Sequence, residues 1–154
     1  CYEETLPELD WQIGDSTKTV LGYECIQATA MFHGRRWTAW FTQEIPLNAG
    51  PWKLDGLPGL ILEAACDGGQ YRFEADGIQQ TDREIGPVYL ADEYEKTERI
   101  KFLKSKRSFL DNPLGKINAQ FADDMVVVKN EDGSDAAGRL FAPRETVDLI
   151  ETDY

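Results

Sequence analysis

Apolar and polar side chains alternate with a period of two along the first half of the chain, which is the repeat of a β-strand. Residues 24–32 form the first alternating segment, residues 33–34 (His-Gly) supply a turn, and residues 36–42 resume the alternation. In the second segment Trp37 falls on one face and Trp40 on the other. Because both faces carry a large aromatic side chain, we expect this strand to be covered on both sides, at the centre of a sheet.

A second hairpin is predicted by residues 60–66 and 70–78. The turn between them, residues 67–69 (Asp-Gly-Gly), contains two glycines, which adopt a positive φ without steric cost. The segment that joins the two hairpins, residues 44–52, carries two prolines. Since proline cannot donate to a strand ladder, we expect a loop or an edge crossing there.

Shorter elements are predicted on either side of the hairpins. Upstream, residues 9–13 and 18–23 have the pattern of strands around a turn at residues 14–16 (Gly-Asp-Ser). Downstream, apolar residues at helical spacing predict an amphipathic helix that begins at an N-cap, Thr97, and ends at about Asp111, before an Asn-Pro pair.

These elements define a mainly β (α+β) fold, in which a curved antiparallel sheet of hairpins carries one flanking amphipathic helix. A length of 154 residues is that of one ordinary domain, so we expect a single domain over residues 1–154. Acidic side chains and a Gly-containing turn predict a loosely ordered acidic tail at residues 130–154.

Charge and hydrophobicity narrow the classes of function. The formal net charge is −12, and such a negative field disfavours non-specific binding to nucleic acid. Six of the sixteen cations lie within residues 96–107, which fits either a solvated helix face or a patch for an anionic ligand or membrane headgroups. No run approaches the roughly 20 apolar residues of a transmembrane helix, and we expect no transmembrane segment.

The three cysteines and the single histidine do not form a recognisable site. Cys25 and Cys66 both fall on predicted strands, where a disulfide and a pair of buried thiols are equally open. Cys1 is the third cysteine, and no CxxC or HxxxH spacing joins these residues to His33, so we expect no metal site. His33 is expected to be an exposed turn residue.

The sequence contains no GxSxG, HExxH, P-loop or GxGxxG motif. No Ser or Cys nucleophile with a supporting acid can be assigned to His33. We therefore predict no catalytic residues and no cofactor. The alternative is a hydrolase that uses carboxylates outside any known motif, which requires two carboxylates, or one carboxylate and His33, to converge in a cleft.

Large apolar side chains cluster around the Pro- and Gly-rich crossing between the hairpins, where a sheet could open into an apolar cleft. The candidate residues for binding a hydrophobic ligand or a partner are Trp37, Trp40, Phe41, Trp52, Leu57 and Leu60. The competing interpretation assigns the same side chains to the core.

Residues 56–61 have the sequence Gly-Leu-Pro-Gly-Leu-Ile, and here the chain resembles the GLPGLI family of exported bacterial proteins. The resemblance extends over about residues 9–116. Its other matching segments are Trp11, residues 19–25, 28–29, 32–35, 40–42, 45–46, 50–53, 71–73, 101–104 and 111–113.

The resemblance implies an extracytoplasmic location (periplasmic, outer-membrane-associated or secreted), since precursors of this family usually begin with a signal peptide. It also implies a further segment ahead of Cys1, so that this chain would be the C-terminal portion of a longer exported protein. The family brings no established activity. By fold-level analogy, the strand meander with its helix looks like the curved sheets of lipoprotein-carrier proteins.

The hexapeptide also has a physical interpretation. Gly56 and Gly59 allow tight backbone turns, Pro58 fixes its own φ, and the apolar residues around them can plug the sheet. The function that we predict is a non-enzymatic extracytoplasmic module that binds an apolar ligand or an envelope protein partner.

Overall fold

The computed structural model describes residues 1–84, 86, 94–120, 129 and 149–154. The chain divides into two compact units. The sheet unit contains residues 5–90 and 150–153, and the helical unit contains residues 1–4, 91–149 and 154. The expectation of a single domain stays a prediction. Of the predicted acidic tail, residues 130–148 lie outside the described part of the chain.

The sheet unit contains a five-stranded antiparallel sheet in the order β1-β2-β3-β4-β5, which confirms the predicted fold class. The strands are β1 (Gln12–Val20), β2 (Tyr23–Phe32), β3 (Arg35–Thr42), β4 (Leu60–Cys66) and β5 (Arg72–Glu74). β3 is the central strand, as predicted. The expectation that both of its faces are covered was wrong, because Thr38 and Trp40 on the second face are partly exposed.

Two-residue turns join the first three strands. In the turn between β1 and β2, Leu21 and Gly22 have φ values of 52° and 87°, and in the turn between β2 and β3, His33 and Gly34 have values of 49° and 79°. Positive φ at both central residues is the geometry that matches the twist of a tight hairpin.

Two strand boundaries differ from the sequence predictions. Residues 14–16, predicted as a turn, lie inside β1, where the register with β2 shifts between Ile13 and Thr17. The chain absorbs the extra residues as a bulge, so that one strand replaces the two predicted ones. β5 covers only Arg72–Glu74 instead of residues 70–78. The alternation there indicates side-chain direction, whereas ladder pairing depends on the neighbouring strand.

The two faces of the sheet differ in composition. The core face carries buried side chains from three adjacent strands: Ala28, Phe32, Trp37, Ala39, Phe41, Ala64 and Cys66. The loop before β4 contributes Leu54 and Leu57, each 1% exposed, to the same cluster. The polar face carries Thr29, Thr38 and Glu63, which alternate with the core residues along their strands.

The hexapeptide forms a turn and plugs the core. Gly56 has a φ of 89°, which favours glycine, and its backbone N–H donates to Asn48 Oδ1 at 2.5 Å. At Gly59 the chain passes so close to β3 that a Cβ would lie 2.7 Å from the carbonyl carbon of Thr42. Leu57, between the two glycines, is buried. The predicted turn at Gly56 is confirmed, and Leu57 and Ile61 plug the core, whereas Leu60 is partly exposed.

The helical unit contains α1 (Arg99–Asp111) and α2 (Pro113–Gln120). The N-cap of α1 is Glu98, which makes no side-chain cap hydrogen bond, so the prediction of Thr97 as N-cap was wrong by one residue. Pro113 follows the end of α1 and is also the first residue of α2, because the first position of a helix needs no backbone N–H. Among the described residues no helix combines the length and the apolar character needed to cross a bilayer.

Ion pairs with the N-terminal residues occupy part of the basic stretch. Lys96 Nζ lies 2.7 Å from Glu3 Oε1, and Arg99 Nε lies 3.4 Å from Glu4 Oε1. The Lys96 ammonium lowers the pKa of Glu3.

The structure decides the alternatives that the sequence left open for the cysteines. Cys25 and Cys66 are buried thiols, and they lie on opposite faces of the sheet. Cys66 lies opposite Trp37 in the ladder, and Trp37 lies opposite Ala30, so these three side chains share one face of the sheet. Cys25 is separated from Ala30 by an odd number of positions along β2, which places its side chain on the other face. A bond between the two sulfurs is therefore excluded in this fold.

We expect thiol labelling of the native protein at pH 8 to modify Cys1 and to spare Cys25 and Cys66. Cys1 is partly exposed, whereas burial raises the pKa of the Cys25 thiol and keeps it protonated. An opening that costs about 3 kcal/mol slows labelling of a buried thiol on the order of 100-fold. Mass spectrometry after timed alkylation measures this. Equal native rates at all three thiols would contradict the burial, and denatured protein should label fully.

Candidate binding cleft at the sheet edge

The six side chains predicted to bind a ligand or partner fall into two groups. Trp37, Phe41 and Leu57 are almost completely buried in the core, with exposures of 0%, 0% and 1%. Trp40, Trp52 and Leu60 are partly exposed. The sequence could not separate the two groups, because exposure depends on the loop that covers the core face.

The aromatic side chains of the core face form a packed chain of rings. Trp37 lies 5.6 Å from Trp52 and 6.0 Å from Phe73 between ring centroids, and Phe32 lies 5.6 Å from Trp52. These are ordinary distances for interacting rings. The protein's own side chains therefore fill this part of the sheet.

An open cleft lies at the outer edge of β4, where one neighbour of this strand ends and another begins. β5 pairs with Glu63–Ala65, and Ala75 N–H donates to Leu62 O at 2.8 Å. Further along the same edge, Ile61 N–H donates to Ala49 O at 3.0 Å. The gap between β5 and the segment at Ala49 is the cleft, with a volume of about 460 Å³. We refer to it as the edge cleft.

The lining of the edge cleft is mainly apolar, with charge on one side. Its apolar side chains are Ala49, Pro51, Leu60, Ile61, Leu62, Phe73 and Ala75. Arg72 and Glu74 of β5 also border the cleft, with their charged side chains toward the polar face of the sheet. A volume of several hundred Å³ with apolar walls and few polar groups is typical of binding sites.

The loop that forms one wall of the edge cleft is fixed in place. A Cβ on Gly50 would overlap the backbone oxygen of Leu54 and lie 3.0 Å from Ile61 Cβ, so glycine is required where the loop packs on β4. Trp52 follows with a φ of 56°, which is rare for a bulky residue and costs about 1–3 kcal/mol. The rings of Phe32 and Trp37 that pack against the Trp52 indole offset this strain.

Leu60 is the one residue of the predicted set that lines the edge cleft. The contribution of β5 is not predicted by the sequence, since the alternation places Phe73 and Ala75 on one face of an ordinary strand. The available signal was Pro51, which marks a loop at a sheet edge. That β5 ends after three residues was not readable from the alternation.

A row of charged side chains crosses the polar face next to the cleft. Glu63 Oε2 lies 2.5 Å from Lys18 Nζ, and Glu63 Oε1 lies 3.3 Å from Arg72 Nη2. Arg72 also pairs with Glu74, and this carboxylate raises the pKa of the guanidinium. The Lys18 ammonium lies 4.4 Å from the centre of the Trp40 ring. Lys18 thus packs on the Trp40 ring.

This row bears on the hydrolase alternative. Glu63 and Glu74 are cross-strand neighbours, so two carboxylates do approach each other. Both are engaged by Arg72, and Glu63 is also engaged by Lys18. The arrangement is that of an ion-pair network.

His33 lies in a hairpin turn, as predicted, but its side chain is only 7% exposed. Its Nδ1 is 3.1 Å from Asp153 Oδ2, a residue 120 positions away. The expectation of an exposed turn residue was wrong because residues 150–153 cover the turn.

A family model matches residues 32–63, from the end of β2 to β4 and including the hexapeptide; its description is "Protein of unknown function (Porph_ging)". No curated protein matches this chain. Two solved structures of PNGF-II superpose with a TM-score of 0.39 at 14% and 15% identity, over 63% and 64% of this chain. This chain spans 18% of the length of PNGF-II, and neither function nor fold follows from so low a score.

Proposed function

We propose that the protein is a non-enzymatic interaction module whose edge cleft binds an extended polypeptide segment of a partner protein. The observation that carries the proposal is the position of the cleft, beside the outermost strand of the described sheet. An apolar cavity and a strand edge at the same place suit a partner that supplies both a backbone and side chains.

The backbone of β5 supports binding of a strand. Tyr71 O accepts from Cys66 N–H, and Ala75 N–H donates to Leu62 O. The backbone groups of the two residues that flank β5 therefore point toward β4. By the alternation of an antiparallel ladder, the N–H and C=O groups of Arg72 and Glu74 point away from it. Such outward groups are a template for an added strand.

The side chains around the edge cleft give such a strand its specificity. An apolar side chain of the partner enters the edge cleft and packs on lining residues such as Pro51, Leu60 and Phe73. Its next residue points to the opposite side of the sheet, toward the charged row of Arg72 and Glu74. The module therefore favours segments in which apolar and charged residues alternate.

Filling the edge cleft should abolish this binding. Peptides are first selected on the wild-type chain from a displayed dodecapeptide library. We expect Ala75→Arg to weaken their binding by at least about tenfold, since burial of an apolar anchor side chain contributes about 1.5–3 kcal/mol. Ala75 lines the cleft, and its side chain is partly exposed. Fluorescence polarisation with the selected peptides measures the affinity.

The matched control is Ile13→Arg, on β1, the strand at the opposite edge of the described sheet. Ile13 is 54% exposed, so the arginine disturbs no core. It should leave peptide affinity unchanged. Equal losses in both variants, or selected peptides without alternation, would contradict strand addition at β5.

A small apolar ligand is the second candidate, and the cleft volume of about 460 Å³ favours it. Native mass spectrometry of freshly purified protein distinguishes the two. An adduct of constant mass that disappears in Ala75→Arg supports a small ligand. A heterogeneous or absent adduct, together with selected peptides, supports the polypeptide.

We also propose an extracytoplasmic location and membership of the GLPGLI family. Both rest on the hexapeptide and the matching segments around it, and the match of an uncharacterised family to residues 32–63 is consistent with them. Cell fractionation of the native host with an antibody to this chain tests the location. Recovery with cytoplasmic markers would contradict it.

A further inference from the structure

A short acidic segment from the C-terminal end is docked on the sheet unit. We refer to residues 150–153 (Ile-Glu-Thr-Asp) as the strap. Thr152 N–H donates to His33 O at 3.0 Å, and Arg35 Nε donates to Ile150 O at 2.9 Å. Main-chain atoms of the strap are thus held at two points on the β2–β3 hairpin, 115 or more residues away in sequence.

The carboxylates of the strap meet basic groups. Glu151 is 3% exposed, and its Oε1 lies 2.7 Å from Lys53 Nζ. Asp153 Oδ2 lies 3.1 Å from His33 Nδ1. We call the receiving surface, formed by His33, Arg35 and Lys53, the strap groove. A carboxylate this deeply buried requires a partner, and Lys53 of the sheet unit supplies one.

The shape of the groove is also matched to the strap. Gly34 has a φ of 79°, and a Cβ there would overlap the Thr152 side chain and lie 3.3 Å from Asp153 N. Glycine is therefore required twice at this position, by the turn and by the strap. The groove recognises an extended acidic segment through backbone, charge and shape together.

The strap is far in sequence from the residues of its groove, and the residues next to it along the chain, Leu149 and Tyr154, belong to the helical unit. None of the contacts above requires the strap and the groove to be on the same chain. A docked segment of this kind is what identical chains exchange in domain swapping.

We propose that the strap groove is a receptor for an acidic segment, and that the strap is exchanged between copies, so that the groove of one copy holds Ile150–Asp153 of a second. Each chain carries both an acidic strap and a basic groove, so a second copy presents a strap that fits the groove of the first. The product is a dimer with two equivalent strap sites.

Charge reversal tests the exchange. In Lys53→Glu the groove repels its own strap, and in Glu151→Lys two ammonium groups oppose each other. In a mixed dimer, the groove of the Glu151→Lys chain holds the strap of the Lys53→Glu chain and regains the original Lys53–Glu151 pair. The other groove, with Glu at position 53, holds a strap with Lys at position 151, which is the same pair reversed. We expect native mass spectrometry of an equimolar mixture to show the mixed dimer at least about tenfold above either homodimer.

A synthetic peptide with the sequence of residues 149–154, the strap peptide, gives a second measurement of binding to the groove. It should bind to the full-length Glu151→Lys chain, whose own strap is repelled, at least about tenfold more tightly than a control peptide with lysine in place of the glutamate. Failure of the peptide to bind would overturn the groove as a receptor.

A mixture of the two variants that stays monomeric would overturn the exchange, whether or not the peptide binds. Circular dichroism and size-exclusion chromatography establish that each variant is folded. If a charge reversal prevents folding, the wild-type chain is mixed in two isotopic forms. A dimer of intermediate mass supports the exchange, and its absence at all concentrations overturns it.

Discussion

The substitution Gly59→Ala should destabilise the protein by about 3 kcal/mol or more. A Cβ at this position would lie 2.7 Å from the carbonyl carbon of Thr42 and 3.2 Å from the Cα of Gln43. These are backbone atoms of β3 and its continuation, so no rotamer change relieves the overlap. The chain would have to move away from β3 just where β4 begins.

Chemical denaturation followed by tryptophan fluorescence measures this loss as a lower midpoint with an unchanged slope. The matched control is Gly77→Ala. A Cβ on Gly77 meets no atom within 4 Å among the described residues, and its φ is not positive. Alanine there should change stability by no more than about 1 kcal/mol, in the stabilising direction. Equal midpoints for the two variants would show that the close approach of Gly59 to β3 is wrong.

The second large effect is expected from Trp37→Ala, which should cost about 3–5 kcal/mol. The Trp37 side chain is fully buried at the centre of the aromatic chain, between Trp52 and Phe73. Alanine removes the contacts of a large ring on both sides and leaves a cavity that the flanking strands cannot close. Urea denaturation at neutral pH gives the free energy of unfolding.

Trp40→Ala is the control on the same strand. Trp40 points to the polar face, is partly exposed and contacts Lys18, so its loss should cost about 1–2 kcal/mol. Trp37→Phe should retain much of the stability, because the buried Nε1–H of Trp37 has no hydrogen-bond partner among the described residues. Similar costs for Trp37→Ala and Trp40→Ala would contradict the assignment of the two faces.

The contrast between these tryptophans changes the interpretation of the predicted binding residues. Trp37, Phe41 and Leu57 stabilise the fold, and their substitution would affect binding only through unfolding. Variants of Ala75 or Leu60 act on the edge cleft itself. Binding experiments on this protein should therefore vary the cleft and use the buried aromatic residues as stability markers.

The sequence alone determined the hairpins around β3 and the role of the hexapeptide. A period of two over residues 24–32 and 36–42 fixes which side chains share a face, because successive residues of any strand point to opposite sides. Gly56 could be assigned to a turn, because glycine alone has this conformational freedom. These are local properties, and local properties can be read without knowing the neighbours. The close approach of Gly59 to β3 was not predicted.

Only the tertiary structure decided which apolar side chains are accessible and where the chain leaves a gap. The edge cleft exists because β5 ends after Glu74 while the pairing at Ala49 starts beside Leu60 and Ile61, and neither limit is encoded in the alternation. The strap on His33 joins residues 120 positions apart, a contact without any local signal. Burial and partnership depend on which distant segments fold against each other, which a pattern along one strand cannot specify.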